Sequence, residues 1–357
     1  MREGLRQGEA TRTTGASSSG DDACPYDALL LLSFGGPERS EDVLPFLEQV
    51  TRGRSVPRQR LLEVAEHYEL FDGVSPINAQ NRALLAALLP HLNQGGPRLP
   101  VYWGNRNWHP FLTDTLRQMA DDGVRRALCF VTSAFSSYSG CRQYLEDIQQ
   151  AREAVGPTAP EVDKIRVFYN HPGFIESQTE RVRDALGQVP DDRRARVQLI
   201  YTAHSLPLSM AVHCRYEEQL REACRLVSQQ LERAQWQLVY QSRSGRPSDS
   251  WLGPDVGDCL AELGQGGQVR DVVLVPIGFL SEHMEVIYDL DVEAAAVCEH
   301  FGLNLVRAAV VGTHPRFVRM IWELIQERID PKAPRLALGT LGISPDVCPA
   351  NCCRPAR

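Results

Sequence analysis

ALLLLSFGGPE, residues 28–38, is the stretch that decides the fold of this 357-residue chain. Its apolar run has the length of a buried strand, and a double glycine and a proline follow at once. Glycine lets the backbone approach a ligand closely, and Pro37 can occupy the first position of a helix. The stretch matches neither glycine-rich pattern of phosphate-binding loops. We interpret it as the first strand-to-helix connection of an α/β protein.

The same alternation of short apolar runs and helical patterns continues along the chain, as a parallel α/β fold requires. The predicted strands are Ala28–Phe34, Leu99–Trp103, Arg126–Thr132, Ile165–Tyr169, Val197–Thr202, Trp236–Gln241, Val272–Pro276 and Leu303–Val306. The predicted helices include Arg82–His91, Phe111–Asp121, Cys141–Val155, Pro172–Leu186, Tyr216–Gln235, Glu285–Glu299 and Pro315–Ile329. With about four strands on each side of residue 170, the pattern predicts two α/β lobes, each built on a parallel sheet.

Composition is that of an ordinary globular protein, with 43% hydrophobic and 23% charged residues. A formal net charge of -7 and the lack of a basic block argue against nucleic acid as a partner. No apolar run approaches the roughly 18–20 residues that a membrane span needs, so we predict no transmembrane segment.

Residues 1–25 mix charged residues with a serine-glycine run and lack the apolar stretch of a secretory signal, so we predict a disordered tail. Residues 26–170 then form the N-terminal lobe, 171–335 the C-terminal lobe, and 336–357 a cysteine-bearing tail. Since the sequence shows no export signal, we expect its ten cysteines to lie in a reducing compartment. We therefore expect a cytoplasmic protein whose clustered thiols bind metal.

A histidine follows the strand predicted at Val197–Thr202, in the segment Ala203-His204-Ser205-Leu206-Pro207. In open α/β sheets, ligands bind beyond the carboxyl ends of the strands. A neutral imidazole there can bind a divalent ion or accept a proton, since its ordinary pKa of about 6.5 makes both forms reachable. The alternative is a histidine that only hydrogen-bonds a loop carbonyl.

Four carboxylates follow the strand predicted at Val272–Pro276. On a helix, Glu282, Glu285, Asp289 and Glu293 fall within about 80° of one another and form one stripe. Acidic residues on helices are usually solvated, which is one interpretation of the stripe. The other is a site that attracts a divalent cation or relays protons, because like charges at this spacing destabilise a helix.

Several segments, taken in their order, resemble the ferrochelatase family, whose members insert ferrous iron into a porphyrin. The matching segments are residues 33–38 (SFGGPE), 73–78 (GVSPIN), 203–207 (AHSLP), 251–256 (WLGPDV) and 278–285 (GFLSEHME). The resemblance extends from about Asp27 to Phe317. It implies two Rossmann-like lobes, each a parallel sheet of about four strands flanked by helices, with the porphyrin in the cleft. It also implies that His204 and Glu285 face each other across the porphyrin, His204 as the base and both residues at the iron site.

Other positions follow from the same resemblance. His67, Tyr68 and Ser75 lie in a stretch similar to the one that contacts the porphyrin's carboxylates, and Tyr138 resembles another wall residue of the cleft. One position departs from the family, because members often have tyrosine or methionine where this chain has Phe34. Phenylalanine cannot ligate iron, so no protein ligand is expected there.

Three thiols lie within six residues of the C-terminal tail, at Cys348, Cys352 and Cys353. Core packing does not explain such a group on an aperiodic tail, and metal binding is favoured. The resemblance implies a 2Fe-2S cluster whose fourth ligand is the internal Cys141. A zinc site on the same thiols and a free, redox-sensitive tail are the alternatives.

The sequence thus predicts a ferrochelatase, a metal-inserting lyase of haem biosynthesis that takes Fe²⁺ as its substrate. The residue 33–38 turn, Ser75 and the cysteine pattern look like the actinobacterial-type branch, which favours coproporphyrin III over protoporphyrin IX. The alternatives are a protoporphyrin IX ferrochelatase, a cobalt or nickel chelatase, and a non-catalytic two-lobed protein that carries haem or metal.

Overall fold

The computed structural model describes residues 24–54, 56–95, 98–243 and 249–355. The disordered tail predicted at residues 1–25 lies outside this range, apart from its last two residues. Within the described residues, no helix combines the length and the apolarity needed to cross a bilayer.

Eight strands alternate with helices along the described chain. The strands are β1 (Ala28–Ser33), β2 (Val101–Asn105), β3 (Arg126–Val131), β4 (Glu161–Lys164), β5 (Gln198–His204), β6 (Trp236–Gln241), β7 (Asp271–Val275) and β8 (Asn304–Arg307). The helices are α1 (Ser40–Val50), α2 (Arg58–Glu69), α3 (Ile77–Gly95), α4 (Leu112–Asp121), α5 (Gln143–Val155), α6 (Pro172–Gly187), α7 (Asp191–Arg194), α8 (Leu208–Ala211), α9 (Tyr216–Gln230), α10 (Val256–Gly266), α11 (Met284–Tyr288), α12 (Ala294–Phe301) and α13 (Pro315–Ile329). Two further segments are π-helical. Tyr138–Arg142 directly precedes α5, and Asp289–Glu293 connects α11 to α12.

The strands form two parallel sheets of four, in the orders β2-β1-β3-β4 and β6-β5-β7-β8. Each sheet has its two most apolar strands in the middle, because helices cover both faces and leave no solvated side. In β1, for example, all six residues are buried. The fold class predicted from the sequence is confirmed, whereas the lobe boundary at residue 170 stays a prediction.

The predicted strand Ile165–Tyr169 is wrong. The edge strand β4 lies just before it, at Glu161–Lys164, and pairs with β3 in parallel. Its residues are half exposed and mostly charged, so they carry no apolar signal. The apolar run that follows leaves the sheet edge and enters the core, with Phe168 and Tyr169 each 1% exposed.

One continuous core joins the inner faces of both sheets, with Leu31 and Phe130 on one side and Tyr201 and Val275 on the other. Helix α13 seals this core. Its buried residues recur every three or four positions, which gives the helix one apolar face. A smaller cluster forms where α1 and α2, two helices that the sequence did not predict, pack against Met284 of α11. The carboxyl ends of β5, β6 and β7 thus face a cleft bordered by α1, α2 and α11.

Candidate metallation site

His204 is the last residue of β5, at the edge of the sheet where ligands bind. The chain leaves the strand at once, and Ser205 N–H donates to the main-chain oxygen of Gln241 at 2.8 Å. The Nδ1 atom of His204 lies 2.5 Å from the oxygen of Ser205. Because a carbonyl can only accept, Nδ1 carries the proton of this bond, and Nε2 faces the cleft.

Glu285 reaches His204 from the first turn of α11. Its Oε1 atom lies 3.4 Å from Nε2 of His204. The loop before α11 approaches β5 closely, since a Cβ built on Gly278 would lie 2.6 Å from the Cβ of Ala203. Only glycine fits there. The segments that follow β5 and β7 are thereby packed together, which brings two predicted site residues into contact.

His204 and Glu285 form an ion pair in the open cleft, with side chains 32% and 47% exposed. Desolvation lowers the pKa of His204, but the charge and hydrogen bond of Glu285 outweigh it and raise the pKa above the usual range. For Glu285, desolvation raises the pKa, and the charge of His204 outweighs it, so that the pKa falls below the usual range. Both groups are therefore charged at neutral pH.

In the metal-free protein we expect His204 to titrate above the ordinary pH of about 6.5. The proton is held at neutral pH and is lost as the pH rises through the elevated pKa. Glu285→Gln removes the stabilising charge and leaves desolvation, so the pKa of His204 should fall. Titration of ¹³C-labelled histidines by NMR, with His204→Ala to assign the signal, measures both. A pKa at or below 6.5 in the unsubstituted protein would contradict the ion pair.

The side chains of His204 and Glu285 are in direct contact in this structure, and their expected placement on opposite sides of a porphyrin stays a prediction. A flat ring between them requires about 7 Å, which is two contact distances of about 3.5 Å. The observed separation of 3.4 Å leaves no such room.

The prediction that four carboxylates form a single helical stripe is wrong. Helix α11 begins only at Met284, so Glu282 lies in the preceding loop. There it forms an ion pair with Arg307 at 3.0 Å. At the other end, a π-helical segment replaces the regular turn, and Glu293 is exposed to solvent. A regular 100° per residue therefore does not describe this stretch.

Asp289, the first residue of the π-helical segment, accepts hydrogen bonds from two adjacent residues at the end of β6. They are Ser242 Oγ and Gln241 Nε2, the latter at 3.3 Å. Burial raises the pKa of Asp289 to about 7, although these bonds act in the opposite direction. Asp289 can thus exchange a proton near neutral pH, next to the charged Glu285.

The residues predicted to bind the porphyrin occupy different environments. His67 of α2 stacks on Tyr288 of α11, with ring centroids 3.8 Å apart and an interplanar angle of 9°. Tyr68 is 8% exposed and packs edge-on against Phe46, and Ser75 is 4% exposed. His67 therefore borders the cleft, whereas Tyr68 and Ser75 lie beneath its surface.

Tyr138 and Phe34 lie near one cation of the N-terminal lobe, Arg106. The guanidinium of Arg106 lies 5.8 Å from the ring of Phe34 and forms an ion pair with Asp147 at 2.5 Å. The Tyr138 hydroxyl donates to Glu146 at 2.9 Å. Arg106 directly follows β2 and was not among the predicted site residues. The rule that ligands bind at the carboxyl ends of strands could have identified it.

The structure brings Cys141, Cys348, Cys352 and Cys353 around one cavity of about 400 Å³. The sulfurs of Cys352 and Cys353 lie 3.4 Å apart. A hydrogen bond from Cys348 lowers the pKa of Cys141 to about 6. Among the described residues, no three His, Cys, Asp or Glu side chains have the arrangement that holds a metal ion. The four thiols line one cavity, and the 2Fe-2S cluster stays a prediction.

Two four-stranded parallel sheets flanked by helices place the chain in the class of chelatase-fold proteins. The structure of SirB from Bacillus subtilis with Fe3+ superposes with a TM-score of 0.54 at 11% identity, over 87% of this chain and 99% of that one. At this identity the likeness concerns the fold.

Sequence comparison gives the family. The ferrochelatase family model matches residues 26–329. A ferrochelatase from Rhodopirellula baltica is 55% identical over 92% of this chain and 93% of its own length. A coproporphyrin III ferrochelatase from Frankia alni is 53% identical, over 93% and 87%. The chain belongs to the ferrochelatase family, the metal-inserting lyases that place iron in a porphyrin during haem synthesis.

Proposed function

We propose that this protein inserts ferrous iron into coproporphyrin III, with His204 as the proton acceptor and Glu285 as the group that receives the iron. The observation that carries the site assignment is the contact between His204 and Glu285 at 3.4 Å. The preference for coproporphyrin III rests on relatives with that name from Frankia alni and Streptomyces coelicolor, the latter 50% identical over 94% of this chain.

The reaction requires that iron lose its water and that two protons leave the pyrrole nitrogens. In the metal-free pair, His204 already holds a proton. A divalent cation at Glu285 neutralises the carboxylate that stabilises this proton, so iron binding releases it. The neutral imidazole is then free to accept a proton from the porphyrin as a general base. Asp289, whose pKa lies near 7, is placed to pass protons onward.

We also propose that the substrate's carboxylates contact the cleft at His67 and Tyr138, with Tyr68 and Ser75 packed behind these contacts. His67 supports this because it stacks on Tyr288, which is one turn beyond Glu285 on α11. Tyr138 is assigned to a second wall because it lies on the π-helical segment before α5, beyond the carboxyl end of β3. Tyr68 and Ser75 are buried, so their part is to support these walls from below.

For the tail, we propose a 2Fe-2S cluster held by Cys141, Cys348, Cys352 and Cys353. Four thiolates satisfy the two irons of such a cluster. The lowered pKa of Cys141 favours the thiolate that a metal ligand requires. When bound, the cluster would supply a redox-active centre and a link between the tail and α5. These thiols need a reducing compartment, which supports a cytoplasmic location.

Iron insertion into coproporphyrin III and protoporphyrin IX, measured side by side under anaerobic conditions, tests the substrate assignment. We expect kcat/KM for coproporphyrin III to be higher by about tenfold or more, because its two additional propionates can form charge-assisted hydrogen bonds. Loss of free-porphyrin fluorescence upon addition of Fe²⁺ reports the reaction. Equal or reversed values would reject the preference, and a fluorescence that iron does not change would reject catalysis altogether.

A further inference from the structure

Gln241 is the last residue of β6 and lies directly beside His204. The two residues are paired across the parallel strands β5 and β6. The main-chain oxygen of Gln241 accepts a hydrogen bond from Ser205 at 2.8 Å, so the two strand ends are joined just where β5 ends. The Gln241 residue is 1% exposed and therefore does not face solvent.

The side chain of Gln241 connects this strand end to the acidic helix. Its Nε2 atom donates to the main-chain oxygen of Glu285 at 2.6 Å and to Oδ2 of Asp289 at 3.3 Å. One amide group thus contacts the first turn of α11 and the start of the π-helical segment. Its Oε1 atom is buried and has no hydrogen-bond partner in the part of the chain that the structure describes.

The next residue strengthens the same connection. Ser242 has a φ of +61°, in the left-handed region that residues other than glycine rarely adopt. In this conformation its hydroxyl donates to Oδ2 of Asp289, beside the bond from Gln241. Strained backbone persists where the surrounding structure requires it, and it clusters at active sites. The strand end of β6 is therefore built to hold Asp289.

We propose that Gln241 is a positioning residue for metallation, which fixes Glu285 and Asp289 relative to His204. A buried amide costs free energy unless its hydrogen bonds are made, and here one of its two polar atoms is left without a partner. An apolar side chain would fill this position without that cost. What the amide adds over an apolar side chain is the hydrogen bond that Nε2 donates to the main-chain oxygen of Glu285 on α11. This inference rests on the role proposed for Glu285.

Gln241→Met tests the proposal, because methionine has a similar length and no donor. We expect kcat for iron insertion to fall by about 10–100-fold, as a small misplacement of a reacting group does. The KM for porphyrin and the melting temperature should stay close to those of the unsubstituted protein. Gln237→Met is the matched control, since Gln237 is an exposed glutamine on the same strand and lies outside the site. A Gln241→Met variant with unchanged kcat would overturn the proposal.

A double-mutant cycle with Glu285→Gln separates positioning from a general structural effect. If Gln241 acts through Glu285, adding Gln241→Met to Glu285→Gln should lower kcat by no more than about threefold. Full multiplication of the two losses would mean that Gln241 acts independently and would overturn the proposal. If the Glu285→Gln variant keeps full turnover, the role proposed for Glu285 is wrong. If Glu285→Gln is impaired but Gln241→Met has normal turnover, only the positioning role of Gln241 is rejected.

Gln241→Asn covers the case in which methionine prevents folding. Asparagine keeps the amide, but its side chain is shorter by one methylene group. Its nitrogen therefore cannot reach the main-chain oxygen of Glu285, which Nε2 of Gln241 contacts at 2.6 Å. The same loss of kcat with an unchanged porphyrin KM is expected, and a kcat equal to that of the unsubstituted protein would overturn the proposal.

Discussion

His204→Ala should lower the rate of iron insertion by about 10²–10⁴-fold, the usual contribution of a general base. The residue also pairs with the carboxylate proposed to receive the iron, at 3.4 Å, so its loss removes a proton acceptor and leaves Glu285 without its partner. Porphyrin should still bind, because we propose that its carboxylates contact other residues of the cleft. Stopped-flow loss of porphyrin fluorescence on mixing with Fe²⁺ gives the rate, and quenching of protein fluorescence by porphyrin gives the affinity.

His300→Ala is the control for this measurement. His300 is an exposed histidine near the end of α12, so its replacement should leave turnover unchanged. A His204→Ala variant within threefold of this control would remove His204 from the reaction. A variant that no longer binds porphyrin would instead assign His204 to substrate binding.

Replacement of any one cluster thiol should remove the iron–sulfur centre completely. We expect anaerobically purified protein to be reddish-brown and to contain about two irons and two sulfides per chain, as a 2Fe-2S cluster requires. Cys348→Ser and Cys141→Ser should both lack colour, iron and sulfide, because serine replaces a soft thiolate poorly. Metal and acid-labile sulfide analysis, together with the visible spectrum, provides the test.

Cys24→Ser is the matched control, because Cys24 is a partly exposed thiol far along the chain from the tail. It should retain the full spectrum. Colourless protein that contains zinc would replace the cluster by the zinc alternative. An intact cluster in Cys141→Ser would show that the internal ligand is another residue.

Much of the fold and the centre of the site could be predicted from local patterns. Apolar strands that end in irregular, polar segments marked the carboxyl edges of β1, β5 and β7, and His204 and Glu285 both come from such segments. The prediction of these strands is confirmed because each central strand is buried on both faces and so carries a continuous apolar run.

The failures concern features that depend on distant parts of the chain. β4 is an edge strand whose charged residues give no apolar signal. The stripe of carboxylates depended on a regular helix, but Arg307 on β8 pairs with Glu282 in the loop. The contact of Gln241 with Glu285 joins residues 44 positions apart. A single sequence contains no periodicity that reports such pairs.

A contact between Arg142 and the C-terminal tail joins two distant parts of the chain. The guanidinium of Arg142 donates to the oxygen of Ala350, 208 positions away. Next to this contact lie Cys141 and the tail thiols, so a metal centre there would close a loop of about the same length. A covalent link that closes a loop of this length lowers the conformational entropy of the unfolded chain. This stabilises the folded state by about 5 kcal/mol at 25 °C. His204 and Glu285 both lie within that loop. Metal bound to Cys141 and the tail thiols would therefore close the chain into a ring that contains its own reaction site.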